Sequence, residues 1–180
     1  MLVVMPFKEL DDFRATLRTH SQGQARAAEK RRPLVLVVDD DENMRASLDL
    51  VLSRSYRVKT CASGADGVAA ISDDVSVVIL DVKMSGMDGF AAYHEMRKMD
   101  ADLPIIFYSA YQDVKDPYKI INEFRPFGYI TKGDDHADLL RGVAAAIEQR
   151  GRAVRHRDIL SDLGNIQAQM EAIRSRIAGR

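Results

Sequence analysis

The chain alternates between short apolar runs and longer stretches in which apolar residues recur every three or four positions. Three runs lack charged residues and are rich in aliphatic side chains, as is typical of strands buried on both faces of a parallel sheet. These runs are Leu34–Val38, Val75–Leu80 and Pro104–Tyr108, and weaker runs of the same kind occur at Tyr56–Cys61 and Phe127–Thr131. The pattern therefore predicts five strands.

The segments between these runs have the period of a helix. The predicted helices occupy Met44–Leu52, Gly64–Ile71, Gly89–Met99 and a part of Asp113–Phe124. Because strands and helices alternate, right-handed crossovers give a doubly wound α/β fold, in which a five-stranded parallel sheet has helices on both faces. In such sheets, ligands bind beyond the carboxyl ends of the strands.

The last 45 residues predict one long helix, since they contain no proline. The stripe that would face the core consists of Leu139, Leu140, Val143 and Ile147. Gly151 interrupts this helix at a cost of about 1 kcal/mol, which a long helix can absorb.

Farther along this helix, six apolar residues recur at alternating spacings of four and three, namely Ile159, Leu163, Ile166, Met170, Ile173 and Ile177. This spacing is a heptad seam. Two interpretations stay open: a coiled coil with a second chain, which the narrow stripe favours, or an amphipathic helix folded back on its own domain. The chain accordingly divides into an extension or linker (1–32), an α/β domain (33–150) and a coiled-coil helix (151–180).

Composition narrows the class of protein. Hydrophobic residues make up 46% and charged residues 29% of the chain, as in soluble globular proteins. The net charge of −1 argues against a dedicated nucleic-acid binder. The single cysteine, Cys61, excludes an internal disulfide or a thiolate-rich metal cluster and fits a reducing cytosol. No apolar stretch approaches the ~20 residues that cross a bilayer, so we expect a cytoplasmic protein that does not contact the membrane.

Acidic residues follow two of the predicted strands. Asp39, Asp40 and Asp41 come directly after the first strand, and Asp81 comes directly after the third. Because parallel strands end at the same edge of the sheet, we expect Asp81 to meet Asp39 and Asp40. Clustered carboxylates raise one another's pKa, and a hard divalent cation such as Mg²⁺ relieves this repulsion. We expect Asp41 and Asp88 to lie at helix N-termini instead.

Two further polar residues are expected at the same edge. Ser109 follows the fourth predicted strand and Lys132 follows the fifth. A hydroxyl, an ammonium and Mg²⁺ together can hold the three oxygens of a phosphoryl group. A carboxylate at the centre of such a site can be the nucleophile.

These residues stand in four segments: Val37–Arg45 (VVDDDENMR), Asp81–Gly89 (DVKMSGMDG), Ser109–Ala110 and Tyr129–Lys132 (YITK). Over about residues 33–150, the chain resembles the receiver domain of two-component response regulators. The resemblance implies a sheet with strand order 2-1-3-4-5, the order of the flavodoxin-like fold. It covers the predicted α/β domain and leaves the two ends of the chain unexplained.

The resemblance also implies roles for the acidic residues. Asp81 would be the phosphoacceptor. Asp40 would be the principal magnesium carboxylate and Asp39 would assist it, with Asp81 and the backbone carbonyl of Lys83 as further ligands. The implied cofactor is therefore Mg²⁺.

Ser109 and Lys132 would bond the phosphoryl oxygens. Tyr129 would be the switch aromatic, which responds to phosphorylation together with Ser109. The implied donor is a histidine kinase or a histidine phosphotransfer protein. We expect a phosphoacceptor switch rather than an enzyme, whose phosphorylation changes its assembly or its binding of partners. A homodimer through the C-terminal helix is the expected assembly.

An interaction protein is the alternative hypothesis. In that case the coiled coil recruits a partner or the protein serves as a phosphate sink, and phosphorylation only tunes this role. Nucleic-acid binding is not expected, because the arginines of the last helix space out around it without a recognition motif; they are Arg141, Arg150, Arg152, Arg155 and Arg157. The four histidines have no ligand spacing, so we expect them at the surface.

Two residues depart from the pattern of the family. Ser85 stands where a proline is usual in the loop after the acceptor. Gly133 replaces the proline that normally follows the lysine through a cis peptide bond. Because cis bonds before other residues cost about 2.5–4 kcal/mol, we expect a trans bond between Lys132 and Gly133.

Overall fold

The computed structural model describes residues 32–110, 117–133 and 136–178, and within α-helical segments it leaves out the side chains of residues 117–119 and 172–178. The predicted extension, 1–32, therefore lies outside the described residues except for Arg32.

All five predicted strands are present, and they form one parallel sheet. In chain order they are β1 (Leu34–Val38), β2 (Arg57–Cys61), β3 (Val75–Leu80), β4 (Ile105–Ser109) and β5 (Gly128–Thr131). The sheet has the order β2-β1-β3-β4-β5, which confirms the expected 2-1-3-4-5 arrangement. β1 and β3 are adjacent, and Val38 pairs with Leu80 at their carboxyl ends.

The described residues also contain five helices, which are α1 (Glu42–Leu52), α2 (Gly64–Ala69), α3 (Gly89–Met99), α4 (Pro117–Phe124) and α5 (Ala137–Ala178). Capping side chains determine where α1 and α3 start. The Asp41 carboxylate accepts a hydrogen bond from the backbone N–H of Asn43 at 2.8 Å, and the Asp88 carboxylate accepts one from Ala91 at 2.8 Å. The expected helix-terminal positions of Asp41 and Asp88 are thereby confirmed.

Alternate residues of each strand face opposite sides of the sheet, so two apolar cores form. On one side, α2, α3 and α4 pack over residues such as Val38, Leu80 and Phe107. On the other side, α1 and α5 cover Val37, Ile79 and their neighbours. Burial of both faces explains why the central strands are apolar along almost their whole length.

Helix α5 runs unbroken for 42 residues through Gly151, about 63 Å at 1.5 Å per residue. Its first turns bury Leu139, Val143 and Ala146 against the sheet. From Val154 to Glu171, every described side chain is exposed. The helix therefore crosses the predicted boundary at residue 150 without interruption, and that domain division stays a prediction.

Two arginines on one face of α5 bind the loop between α3 and β4. Arg150 is buried, and its guanidinium pairs with both oxygens of Asp100, with Nη1 3.2 Å from Oδ1. Two turns later, Arg157 lies 2.7 Å from Asp102. These ion pairs hold the junction between the α/β domain and the exposed part of the helix. No helix in the described part of the chain is long and apolar enough to cross a membrane.

Candidate functional site

Three carboxylates converge at the carboxyl edge of the sheet. Asp39 directly follows β1 and Asp81 directly follows β3, and both are buried, with 2% and 5% of their surface exposed. One oxygen from each of Asp39, Asp40 and Asp81 lies within 4.8 Å of the others. The structure thus brings together the three acidic residues that the sequence placed at this edge.

Lys132 supplies the positive charge of this cluster. Its Nζ lies 2.8 Å from Asp39 Oδ2 and 3.0 Å from Asp81 Oδ1. The residue follows β5, and its backbone N–H donates to the Ser109 carbonyl at 2.8 Å, which anchors the lysine to the end of β4. The described residues contain no cis peptide bond, so the expected trans bond between Lys132 and Gly133 is confirmed.

Burial controls the electrostatics of the cluster. Desolvation raises the pKa of Asp81 to about 6, even though the hydrogen bond and the charge of Lys132 lower it. Burial alone would lower the pKa of Lys132, but its hydrogen bonds to Asp39 and Asp81 outweigh this effect and raise it. Lys132 is therefore a permanent cation at neutral pH, while Asp81 is a carboxylate with a raised affinity for protons.

Backbone N–H groups orient the buried carboxylates. Asp41 donates to Asp39 Oδ1 at 2.9 Å, and Val82 donates to Asp81 Oδ1 at 2.9 Å. Arg45 donates through Nη1 to the backbone carbonyl of Asp39 at 2.7 Å, which ties α1 to the loop after β1. The positions of these carboxylates are therefore set by the loop backbone as well as by Lys132.

Asp40 is held differently. It is exposed, and its Oδ2 accepts hydrogen bonds from both the backbone N–H of Ser85, at 2.9 Å, and the Ser85 hydroxyl, at 3.2 Å. Ser85 belongs to the loop between β3 and α3, so these bonds connect two loops at the carboxyl edge.

The chemistry of these donors fits a hard cation. Two buried carboxylates and one exposed carboxylate offer oxygen ligands from two adjacent loops, and Mg²⁺ prefers one or two carboxylates together with water. Lys83 lies in the same loop as Ser85, two residues after Asp81, with an exposed side chain. Its backbone carbonyl as a ligand stays a prediction.

Ser109 and Tyr129 lie on the strands next to the acidic cluster. Ser109 is fully buried at the end of β4. Tyr129 is half-buried on β5, paired in register with Phe107, and it packs against the core on the side of α2, α3 and α4. The roles of these two residues as phosphoryl contact and switch stay predictions.

His136 lies between three elements of the fold and contacts polar side chains of two of them. His136 is half-buried before α5, with Nδ1 3.1 Å from the Tyr108 hydroxyl and Nε2 3.2 Å from Ser47 Oγ. Burial raises the pKa of Tyr108. The expectation of four surface histidines is therefore wrong for His136, which connects β4, α1 and the start of α5. Sequence spacing offers no signal for this contact, because its three residues lie far apart in the chain.

Comparison with protein families identifies the α/β domain. The family model for the response regulator receiver domain matches residues 35–144. The transcriptional regulatory protein GlrR of Escherichia coli is 32% identical over 125 residues, which cover 68% of this chain and 28% of GlrR. The transcriptional regulatory protein PrrA of Mycobacterium tuberculosis is 30% identical over 149 residues, which cover 82% of this chain and 64% of PrrA. The chain thus spans less than two thirds of the length of each relative.

A solved structure agrees with these matches. The response regulator protein TrrA of Thermotoga maritima, in complex with Mg²⁺ and BeF, is 28% identical with a TM-score of 0.56. The similarity covers 63% of this chain and 97% of that structure. The residues that the family model matches, 35–144, contain all five strands of the sheet and its carboxyl edge.

Proposed function

The chain belongs to the response regulator receiver domain family, whose members are phosphorylated on an aspartate, and on that premise we propose that its phosphoacceptor is Asp81. One observation carries the proposal: Asp81 is a buried carboxylate at the centre of the carboxyl edge, flanked by Lys132 and by Asp39 and Asp40. Receiver domains bind Mg²⁺ at such an acidic pocket. In this chain, Asp39, Asp40 and Asp81 would hold the ion, with the backbone carbonyl of Lys83.

Two hydrogen bonds orient the carboxylate that would attack. Asp81 Oδ1 accepts both of them, from Lys132 and from the Val82 N–H, and one oxygen of this carboxylate would form the bond to phosphorus. As that bond forms, the phosphorus–nitrogen bond of a phosphohistidine donor breaks, and the electron pair stays on the imidazole. Bound Mg²⁺ would offset the negative charge of the carboxylates and of the phosphoryl oxygens during transfer.

Lys132 and Ser109 would stabilise the product. The ammonium group already contacts Asp81, so a small movement would bring it to a phosphoryl oxygen in place of the carboxylate. Ser109 would donate its hydroxyl to another oxygen, and Tyr129, on the neighbouring strand, would rearrange with it. The donor would be a histidine kinase or a histidine phosphotransfer protein, and the chain would act as a switch rather than as an enzyme.

We further propose that the output is assembly through α5. The side chains of Ile159, Leu163, Ile166 and Met170 are 52–57% exposed, so no described part of the chain covers them. Exposed apolar stripes of this kind usually mark an interface. This exposure supports the coiled-coil interpretation over a helix folded back on its own domain. We propose that a second copy of the chain covers the exposed stripe. The side chains of Ile173 and Ile177 lie outside the described residues.

The same exposed stripe supports the alternative, in which α5 recruits a different protein and phosphorylation only tunes that recruitment. Nucleic-acid binding through the arginines of α5 has less support. Arg150 and Arg157 bind Asp100 and Asp102, and Arg141 pairs with the neighbouring Asp138. Since acidic partners compensate these charges, they do not form a free basic surface.

Beryllofluoride, a mimic of the phosphoryl group, tests the proposed site and its output together. We expect beryllofluoride with Mg²⁺ to raise the thermal unfolding temperature of the protein, because a ligand that binds only the folded state stabilises it. Asp81→Asn should abolish this rise, whereas Asp88→Asn should retain it, because Asp88 caps α3 outside the cluster. No rise in the unmodified protein would contradict the proposed site.

Light scattering on the same samples tests the proposed assembly through α5. We expect a dimer at tens of micromolar whose association strengthens with beryllofluoride and Mg²⁺. A monomer under both conditions would contradict the homodimer and favour the recruiting helix.

A further inference from the structure

Among the three carboxylates of the cluster, Asp40 is the one that is exposed, and Ser85 is the residue that binds it. Both donors of Ser85, the backbone N–H and the hydroxyl, bind the same oxygen of Asp40, at 2.9 Å and 3.2 Å. By contrast, Asp39 and Asp81 are buried and are bound to Lys132. Asp40 is exposed, so Ser85 supplies the restraint that burial and the lysine supply to the other two.

The two bonds determine which part of the carboxylate remains available. A carboxylate oxygen has two lone-pair sites, and the donors of Ser85 occupy those of Asp40 Oδ2. The other oxygen, Oδ1, remains available to a cation. An exposed side chain without such bonds would lose rotamer entropy when it binds a metal, and Asp40 is restrained before the metal arrives.

We propose that Ser85 is a positioning residue for the magnesium site: it holds Asp40 so that this carboxylate binds Mg²⁺ through Oδ1 alone. The inference rests on the proposed function, because it assigns Asp40 to the metal. A proline at position 85 has neither an N–H nor a hydroxyl, so it could not form this contact. The usual residue of the family would therefore leave Asp40 without these two bonds.

Three variants separate the two hydrogen bonds. Ser85→Ala removes the hydroxyl and keeps the N–H, Ser85→Pro removes both, and Ser85→Thr keeps both. Hydrogen-bonding partners of metal ligands typically contribute about 10–100-fold to metal affinity. We expect Ser85→Pro to weaken Mg²⁺ binding about tenfold, Ser85→Ala to weaken it less, and Ser85→Thr to match the unmodified protein.

Calorimetric titration with MgCl₂ in the absence of a phosphodonor measures this affinity directly. Circular dichroism shows whether each variant is folded. If the proline variant does not fold, the Mg²⁺ affinity of Ser85→Ala is compared with that of the unmodified protein instead. Asp40→Asn replaces the carboxylate ligand itself. Its Mg²⁺ affinity is therefore the reference value for a site that lacks the Asp40 carboxylate.

The outcomes separate this role from the proposed function. If the unmodified protein binds Mg²⁺ and Ser85→Ala and Ser85→Pro bind it equally well, Ser85 has no positioning role and the metal site stands. Tighter binding by Ser85→Pro would mean that Ser85 competes with the metal, which also overturns the inference. If the unmodified protein does not bind Mg²⁺, the proposed metal site fails together with the role of Ser85.

Discussion

Nζ of Lys132 lies 3.0 Å from Oδ1 of Asp81, yet this attraction does not restore an ordinary pKa to the carboxylate. Desolvation outweighs the lysine and raises the pKa of Asp81 to about 6. The folded chain therefore keeps this buried carboxylate ionised at neutral pH at a cost in stability. Such a cost is expected where a charge is buried for chemistry rather than for folding.

Asp81→Asn should stabilise the metal-free protein at pH 7. The folded-state pKa of about 6 lies above the ordinary value of 3.8, so ionisation is less favourable in the folded chain than in the unfolded chain. At about 1.4 kcal/mol for each pH unit, the neutral asparagine should raise the free energy of unfolding by about 3 kcal/mol. Urea unfolding of both proteins with a metal chelator present measures this difference.

The sign of the pH dependence gives a second test of this effect. For a carboxyl group whose pKa is raised by folding, the protonated form stabilises the folded state below about pH 4, and this contribution is lost as the pH rises through about 6. The difference between Asp81→Asn and the unmodified protein should therefore grow from pH 4 to pH 7. Asp88→Asn is the control, because asparagine caps a helix as well as aspartate does. Destabilisation by Asp81→Asn at pH 7 would contradict this account of the buried charge.

Arg150→Ala should destabilise the protein by about 3 kcal/mol, because it leaves a partly buried carboxylate without its partner. The ion pair between Arg150 and Asp100 has only 6% and 16% of the two side chains exposed. Arg152→Ala is the control: Arg152 and its partner Glu148 are largely exposed, so the loss should stay below about 1 kcal/mol. Urea unfolding at pH 7 distinguishes the two variants.

The contribution of Arg150 should also disappear in acid. Burial alone would raise the pKa of Asp100, but the hydrogen bond and charge of Arg150, with other partners, outweigh burial and lower it. A carboxylate with a lowered pKa stabilises the fold above its ordinary pKa, and the stability is lost as the pH falls through the folded-state pKa. If Arg150→Ala has the same effect at all pH values, the pair with Asp100 is not its cause.

Replacing Leu163 and Ile166 together with aspartate should convert the proposed dimer into a monomer. Both side chains lie in the heptad seam, where buried charges oppose association. The matched control, Ser161→Asp with Ala168→Asp, places the same charges outside the seam and should remain a dimer. Sedimentation equilibrium measures both, and dimerisation of both double variants would show that the seam is not the interface.

Local signals and the alternation of strands and helices were enough to predict the sheet, its helices and the convergence of Asp39, Asp40 and Asp81. Apolar runs identify strands, and parallel strands bring their carboxyl ends together. The caps at Asp41 and Asp88 were predictable for the same reason, since each depends on residues two or three positions away.

The contacts that sequence reasoning missed join loops that are distant in the chain. Ser85 and Asp40 are 45 residues apart, and Arg150 and Asp100 are 50 residues apart. Their pairing depends on loop geometry and on the packing angle of α5, which no periodic pattern encodes. The seven-residue spacing of Arg150 and Arg157, which places both on one helix face, was a usable signal for a contact with the domain.

Locating the phosphoryl group after incubation with acetyl phosphate and Mg²⁺ tests the central claim most directly. Borohydride reduces an acyl phosphate to an alcohol, so peptide mass spectrometry can identify the aspartate that carried it. We expect the reduced residue at position 81, no reduction when Mg²⁺ is omitted, and no transfer of the label to another residue in Asp81→Asn. Reduction at a different carboxylate, or undiminished labelling of Asp81→Asn, would contradict the assignment of Asp81 as the phosphoacceptor.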